Sequence, residues 1–301
     1  MASFVAHPVP DDLEMRPIPE RLNLSDGVLL TQSHFRTEQA YHRGQVSRLA
    51  LHLHGAGTVA GLDVTYDPTT GDNVEVKVAP GLALDRLGRI VEIHQQSCLE
   101  IAIWLAQQGD DPLTRARVLA GARAANAGLP AHLVADVYLG FHACARAPEP
   151  AFASPNADTI DGVAASRVLD TGQLRIIVRP DGDDRAPLSR VAADHAGAAT
   201  PDSIRDFKRL RAWDLTQPQS DPFGLPAGSA LSEHIVAGDL QDGSEVLLAR
   251  LIVPVITDGG FPVFDATIDL TQPAFVPDQS IRPYSYSADE LALLLATPIR
   301  R

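Results

Sequence analysis

The chain has 301 residues, of which 45% are hydrophobic and 21% are charged, and its formal net charge at pH 7 is −13. This balance is typical of a globular protein and argues against a disordered chain. The negative charge would repel a phosphate backbone, so nucleic-acid binding would need a local basic patch.

The most basic stretch lies between residues 205 and 211, and acidic residues are interleaved with it. Its basic residues are Arg205, Lys208, Arg209 and Arg211, and the acidic ones are Asp202, Asp206 and Asp214. Mixed charges at this spacing are typical of a solvated helix face. We therefore expect no nucleic-acid partner.

The cysteine content and the apolar runs point to a soluble chain in a reducing compartment. Two cysteines, Cys98 and Cys144, cannot form an all-cysteine zinc site, and a chain of this length needs no disulfides to fold. Residues 1–15 lack the basic start and the apolar stretch of a signal peptide. The longest apolar run, 246–256, is interrupted by an arginine and a proline and is too short for a bilayer. We expect a cytoplasmic location and no direct membrane insertion.

The first predicted elements are an arm and a long helix. Residues 1–23 are acidic and proline-rich, which predicts an extended arm that lies over another surface or stays mobile. Ser33 then offers a helix N-cap, and only one glycine, Gly44, precedes the stop at Gly55. The pattern predicts a first helix over 33–53, which is about five turns long.

Short apolar segments separated by turn residues follow this helix, as is typical of antiparallel strands. The strands predicted from this pattern cover residues 58–66, 74–78, 82–85, 90–93, 99–104, 132–144, 173–178, 245–255 and 262–270. The last two are joined through Asp258, Gly259 and Gly260, which is a strong hairpin signal.

A second helix carries the clearest cap in the chain. Asp111 is its predicted N-cap, Pro112 occupies the first helical position, residues 113–126 form its body, and Gly128 lies past its end.

The remaining pattern is turn-rich at 145–164 and 180–200, with a short helix predicted over 201–212. A serine and a glutamate three residues apart form a capping-box pattern that predicts a terminal helix over 288–296. We therefore predict a mainly β fold with inserted helices, α+β overall. Its parts would be the arm 1–23, one β-rich domain over 24–280, and a C-terminal helix within 281–301.

One group of residues resembles a metal site. His34, Glu38 and His42 fall four residues apart, so a helix would stack them on one face, where imidazole and carboxylate ligands could bind a divalent ion. Ligands two turns apart, about 11 to 12 Å, cannot all reach one ion, so at most one adjacent pair could serve. A polar stripe at a packed interface is the favoured interpretation, and a metal-dependent enzyme that uses these residues stays open as an alternative.

No other pattern indicates chemistry. Residues 55–61 imitate a glycine-rich dinucleotide loop, but a helix precedes them and a strand follows, which reverses the order that the fingerprint needs. Neither a nucleophile elbow nor a phosphate loop occurs. We therefore predict no catalytic residue, no cofactor and no enzymatic activity.

The stretch from residue 23 to residue 43 carries a family resemblance. It runs Asn-Leu-Ser-Asp-Gly-Val-Leu-Leu-Thr-Gln-Ser-His-Phe-Arg-Thr-Glu-Gln-Ala-Tyr-His-Arg. This resembles the opening of baseplate proteins in contractile tail machines, among them the type VI secretion baseplate subunit and the related shoulder domain of phage receptor-binding proteins. Residues 80–85 with Gly88 and Arg89 resemble a hairpin of phage-tail-like proteins. Residues 247–251 and 275–278 are similar to the closing strand and loop of the shoulder domain.

The resemblance implies a β-sandwich, homo-oligomerisation (a trimer in the secretion subunit), and contacts with wedge or fibre proteins. That subunit carries a helical neck and a terminal domain for which this chain has no room. The resemblance therefore favours a baseplate or fibre-adaptor part of a tail-like particle that assembles in the cytoplasm and can leave the cell. It points to Gln39, Tyr41, His42 and Arg43 as polar contacts from the first helix to a neighbouring chain.

Two alternatives stay open beside this assembly role. The polar residues of the first helix could instead cover the chain's own sheet, as amphipathic surface helices usually do. The domain could also be a stand-alone β-sandwich that binds a carbohydrate or a peptide.

Overall fold

The computed structural model of the chain describes residues 8–15, 19–67, 74–126, 128–150, 163–180, 244–288 and 290. Across these ranges the strands form three antiparallel sheets, accompanied by three α-helices and two short 3-10 helices. The predicted fold class, mainly β with inserted helices and α+β overall, is confirmed.

The helices and strands of the described ranges are separated by turn residues and have the following bounds. The helices are α1 (Gln32–His54), α2 (Ile101–Gln107) and α3 (Pro112–Gly121). The strands are β1 (Gly57–Gly61), β2 (Val64–Asp67), β3 (Glu75–Val78), β4 (Gly81–Leu84), β5 (Ile90–Ile93), β6 (Ser97–Glu100), β7 (His132–Pro150), β8 (Val163–Val178), β9 (Val246–Asp258) and β10 (Phe261–Phe264).

Three sheets enclose one hydrophobic core. Two have three strands each, in the orders β1-β4-β5 and β2-β3-β6, and the third has the order β10-β9-β7-β8. Alternation places one face of each strand inside: in β3, Val76 and Val78 are buried, while Glu75 and Lys77 are partly exposed. The main core cluster takes residues from all three sheets, so the sheets are parts of one packed unit.

The prediction of a strand over 99–104 is wrong beyond its first two residues. Strand β6 ends at Glu100, and α2 begins at Ile101. Ile101, Trp104 and Leu105 are all buried, and their spacing places them on one helical face. A short apolar run is compatible with both the strand and the helix periodicity, and here the helix is the form that buries these side chains in the core.

Helix α3 confirms its predicted cap but not its predicted length. The Asp111 carboxylate accepts hydrogen bonds from the backbone N–H groups of Leu113 and Thr114. The helix ends at Gly121 instead of continuing to residue 126. A Cβ at Gly121 would lie 2.6 Å from the carbonyl oxygen of Arg179, so the backbones are packed too closely there for any larger residue.

The other strand boundaries differ in two ways. The strand predicted over 58–66 is two strands, β1 and β2, because the chain turns at Leu62, which has a positive φ of 62°. The stretch predicted to be turns over 145–164 begins and ends in strand, since β7 and β8 pair as far as Pro150 and Val163.

The last hairpin and the last cap agree with the sequence. Strands β9 and β10 meet at Gly259 and Gly260, as predicted, although β10 ends at Phe264 and does not continue to residue 270. The backbone N–H of Ser287 donates to the Glu290 carboxylate (2.7 Å), so the capping box is present.

Several predictions lie outside the described residues: the helix over 201–212, the basic stretch 205–211, most of the turn-rich stretch 180–200, and the body of the terminal helix. None of the helices in the described ranges is long and apolar enough to cross a membrane.

A buried arginine holds the C-terminal segment on the fold. The guanidinium of Arg282 donates to the carbonyl oxygens of Leu248 (2.8 Å), Leu62 (2.8 Å) and Gly61 (3.1 Å). Burial lowers the pKa of Arg282 below its ordinary value. The following residues pair with β1, and the Ser285 hydroxyl donates to the carbonyl oxygen of His54 (3.3 Å). The C-terminal end of α1 is thereby fixed to the sheet.

Candidate assembly surface

The three proposed metal ligands of α1 do not converge. The backbone N–H of Thr31, the N-cap, donates to His34 Nδ1 (3.0 Å), so this imidazole turns back towards the helix start. Glu38 and His42 form a separate pair at 2.9 Å. No group of three or more histidine, cysteine or acidic residues that could hold a metal ion occurs in the described ranges.

Glu38 also ties the preceding segment to α1. Its carboxylate accepts a hydrogen bond from the backbone N–H of Leu22 (3.2 Å). This hydrogen bond, with a smaller effect from His42, lowers the pKa of Glu38 below its ordinary value. The ionised carboxylate therefore fixes the direction from which the chain enters the helix.

Arg43 faces the protein's own N-terminal arm. Its guanidinium pairs with Asp11 (2.7 Å) and lies above the ring of Phe141 (5.9 Å to the ring centre). A weaker contact at 3.8 Å reaches Asp170 on β8. Arg43 therefore contacts the chain's own fold, as in the alternative in which the polar residues of α1 cover their own sheet.

Asp11 belongs to a buried ionic cluster centred on Arg89. The Arg89 guanidinium contacts Asp85 (2.6 Å), Asp11 (3.1 Å) and the hydroxyl of Ser244 (3.1 Å). It also stacks over Phe141, with 4.5 Å to the ring centre. Arg89 is 3% exposed and Asp85 is fully buried, so this cluster ties the arm to the β4–β5 hairpin inside the protein.

Charge and burial act against each other in this cluster. Burial raises the pKa of Asp85, although the Arg89 guanidinium and nearby N–H donors oppose the effect. Burial alone would lower the pKa of Arg89, but the carboxylates of Asp85 and Asp11 outweigh it and hold that pKa above its ordinary value. The guanidinium therefore stays charged, and removing it would leave the buried Asp85 carboxylate without a cation, while Asp11 would keep Arg43.

The side of α1 that meets the fold carries mainly small residues, together with the larger Leu51. This inward face consists of Ala40, Gly44, Ser47 and Leu51, all of them buried or partly buried. Gly88, in the turn between β4 and β5, has a φ of +80°, and a Cβ there would lie 2.0 Å from the Ser47 carbonyl oxygen. Helix and hairpin touch backbone to backbone at this point.

The opposite side of α1 carries the large apolar residues. We define the outward face as Phe35, Gln39, His42, Val46, Leu49 and Leu53. Its four apolar side chains are between 56% and 67% exposed. The leading segment, residues 24–30, adds further exposed side chains, namely Leu24, Val28, Leu29 and Leu30, with Leu29 at 83%. The helix thus has its polarity reversed relative to an ordinary surface helix, which buries its large apolar residues.

The four residues predicted as contacts fall into two groups. Gln39 and His42 lie exposed on the outward face, and Tyr41 is partly buried with its ring edge-on to the His42 ring at 5.3 Å. Arg43 points to the arm. The structure therefore brings Gln39 and His42 together on one surface and separates Arg43 from them.

Sequence reasoning missed the apolar part of this surface. Phe35, Val46, Leu49 and Leu53 were available in the sequence, and their helical spacing was the signal. An amphipathic helix normally buries such residues, so the pattern alone does not say that they face away from the protein.

Comparisons with known proteins give only distant structural likeness. No protein family model matches the chain, and no curated protein matches its sequence. Among solved structures, the crystal structure of TssK is similar, with 14% sequence identity and a TM-score of 0.27. The match covers 56% of this chain and 36% of that one, so this chain spans about a third of the TssK length. We take this only as a distant structural resemblance and transfer neither fold nor function from it.

Proposed function

We propose that this chain is a structural, non-enzymatic subunit of a phage-tail-like contractile injection system. It serves as a baseplate or fibre-adaptor part and acts through protein–protein contacts. Its partners are wedge or fibre proteins and further copies of itself, with a trimer as one arrangement. Assembly takes place in the cytoplasm, in a tail-like particle that can leave the cell.

One coincidence carries this proposal. The stretch 23–43, which resembles the opening of baseplate proteins, includes the whole leading segment and the first half of α1. The structure exposes large apolar side chains from Leu24 through Leu53. Contiguous exposed apolar surface of this kind is typical of an interaction site.

The shape of the surface also fits an assembly role. The inward face of α1 and the Arg89 cluster fix the helix firmly to the fold, so the outward face is presented on a rigid support. A preorganised surface loses little conformational entropy on binding. The leading segment is tied at Leu22 by Glu38 and is therefore displayed from a defined point.

Co-purification with tail proteins tests the proposal. The chain would be co-expressed with baseplate and fibre proteins encoded by genes near its own, with a tag on the chain. We expect stable complexes with the unaltered chain and their loss on Leu49→Ser. Leu113→Ser is the matched control, because Leu113 is an equally exposed leucine (69%) on a different helix. An unaltered chain that captures none of these proteins, or complexes equally strong with Leu49→Ser, would refute the proposal.

A further inference from the structure

The outward face of α1 follows a heptad repeat. From Phe35 to Leu53 the six residues are spaced by four, three, four, three and four positions. At 3.6 residues per turn they fall within an arc of about 80°. This spacing is the seam of a coiled coil, with Phe35, His42 and Leu49 at d positions and Gln39, Val46 and Leu53 at a positions.

We infer that α1 of a second copy of this chain docks on this seam, parallel and in register. The inference rests on the proposed function, since it names the partner of the surface described there. None of the chain's own described residues buries the seam, because its apolar side chains are exposed.

The order of the layers favours a parallel pair. In register, Val46, Leu49 and Leu53 each meet the same residue of the second copy. Gln39 likewise meets Gln39, and His42 meets His42. In an antiparallel pair centred on the same stretch, Val46 would face His42, and Leu49 would face Gln39. That arrangement would bury polar groups against apolar ones, which costs free energy.

The charges beside the seam agree with the same arrangement. Glu38 occupies a g position and Arg43 the e position five residues later, which come together across a parallel pair. Within the chain both side chains already have partners, since Glu38 pairs with His42 and Arg43 with Asp11. The two charges are opposite in sign and the next pair, Gln45 with Ala50, is neutral, so no like-charge repulsion opposes parallel pairing.

The seam alone is too small for a stable interface, so the inferred interface includes the leading segment. From Phe35 to Leu53 the seam is about 27 Å long and about 10 Å wide, so two copies would bury roughly 500 to 600 Å² in total. Stable interfaces bury at least about 1,200 Å². The exposed leucines and valine of residues 24–30 adjoin the start of α1 and supply apolar surface for the remainder.

Sedimentation velocity over a range of concentrations tests self-association. We expect the full chain to associate, and Leu49→Ser to raise the dissociation constant by at least about tenfold. The melting temperature of the dilute chain should not change, because Leu49 is 62% exposed and lies outside its own core. Leu113→Ser should leave association unchanged. A chain that stays monomeric at every concentration, or association that Leu49→Ser leaves intact, would overturn the inference.

Disulfide formation tests the orientation. In a Cys98→Ser background, Leu49→Cys should oxidise to a covalent dimer, because in-register d positions bring like residues within disulfide reach. Thr37→Cys should not form this dimer, because residue 37 is exposed on another side of α1. Cross-linking between Gln39→Cys and Leu49→Cys chains, without cross-linking of Leu49→Cys alone, would contradict the parallel register.

The outcomes separate this inference from the proposed function. A monomeric chain that still loses tail-protein complexes on Leu49→Ser would overturn self-pairing and leave the assembly role standing. A chain that pairs through Leu49 but captures no tail protein would support self-pairing and refute the assembly role.

Discussion

Single residues decide how the N-terminal arm is held on the protein. Arg89 contacts Asp85 and Asp11 at 2.6 and 3.1 Å, and all three side chains are buried. Buried ion pairs add little net stability when both partners are present, but the loss of one partner leaves an uncompensated charge. The cluster therefore fixes the arm's position more than it adds to overall stability.

Arg89→Ala is expected to lower the free energy of unfolding by about 3 to 5 kcal/mol, because the Asp85 carboxylate would stay buried without its cation, whereas Asp11 keeps Arg43. Urea denaturation measures this change. Arg36→Ala, on the exposed surface of α1, is the control and should change stability by less than about 0.5 kcal/mol. A similar small loss for both variants would show that the arm cluster is not closed in solution.

We predict that the hydrogen bond from the Leu22 amide to the Glu38 carboxylate, where the chain enters α1, depends on pH. Because the pKa of Glu38 is lowered in the folded chain, its stabilising effect is present above the ordinary pKa of about 4.3. The effect is lost as the pH falls through the lowered folded value. We expect exchange protection of the Leu22 amide to decrease in that acidic range, measured by NMR after correction for the intrinsic exchange rate. Glu38→Gln should remove this pH dependence; a dependence that persists would implicate another group.

At the scale of elements, α1 is attached mainly by close backbone contact, with Leu51 as a large side chain on its inward face. Its other inward residues are small, and Gly88 allows the β4–β5 turn to approach the Ser47 carbonyl. Phe35, Val46, Leu49 and Leu53 therefore lie on the outward face, while Leu51 lies on the inward one. The close attachment of the inward face and the exposure of the seam therefore both follow from the way α1 packs on the fold.

Gly88→Ala should loosen this attachment. The new Cβ would clash with backbone at 2.0 Å and would also need a strained positive φ, so we expect a loss of at least about 2 kcal/mol in unfolding free energy. Gly259→Ala is the matched control: its φ is also positive, at 54°, but a Cβ there meets nothing within 4 Å. Its cost should be only the strain, about 1 kcal/mol. Equal losses for both variants would show that helix contact at Gly88 contributes nothing.

The elements were predictable where local signals agree with tertiary packing. The Asp111 cap and the glycine hairpin after Asp258 are local features, and both are found as predicted. The run over 99–104 was ambiguous in period, and only burial of Trp104 and its neighbours made it helical. At the end of α3, Gly121 packs closely against the distant Arg179 backbone, a contact that no local pattern carries.

The candidate surface was only partly predictable for a related reason. The sequence locates Gln39 and His42 on one helical face and also carries the heptad spacing of Phe35, Val46 and Leu49. Which face of α1 meets the fold depends on Gly88 and on the arm, and these contacts join residues far apart in the chain. Arg43 was predicted to contact a neighbour, and its close partner is Asp11, 32 positions away.

For the molecule as a whole, the structure combines a well-packed β core with a helix whose apolar side is turned outward. Such a surface is a liability for an isolated soluble protein and is ordinary for a subunit that is covered in its assembly. We therefore propose that the outward face of α1 becomes buried when the chain joins its partners.

Hydroxyl-radical footprinting of the unaltered chain tests that claim most directly. Labelling of Phe35, Leu49 and Leu53 would be compared between the dilute chain and the assembled complex, with the exposed Leu113 as an internal reference. We predict that labelling of the three outward residues falls several-fold on assembly, while that of Leu113 is unchanged. Equal labelling of these residues in the free and the assembled chain would contradict the proposed assembly surface.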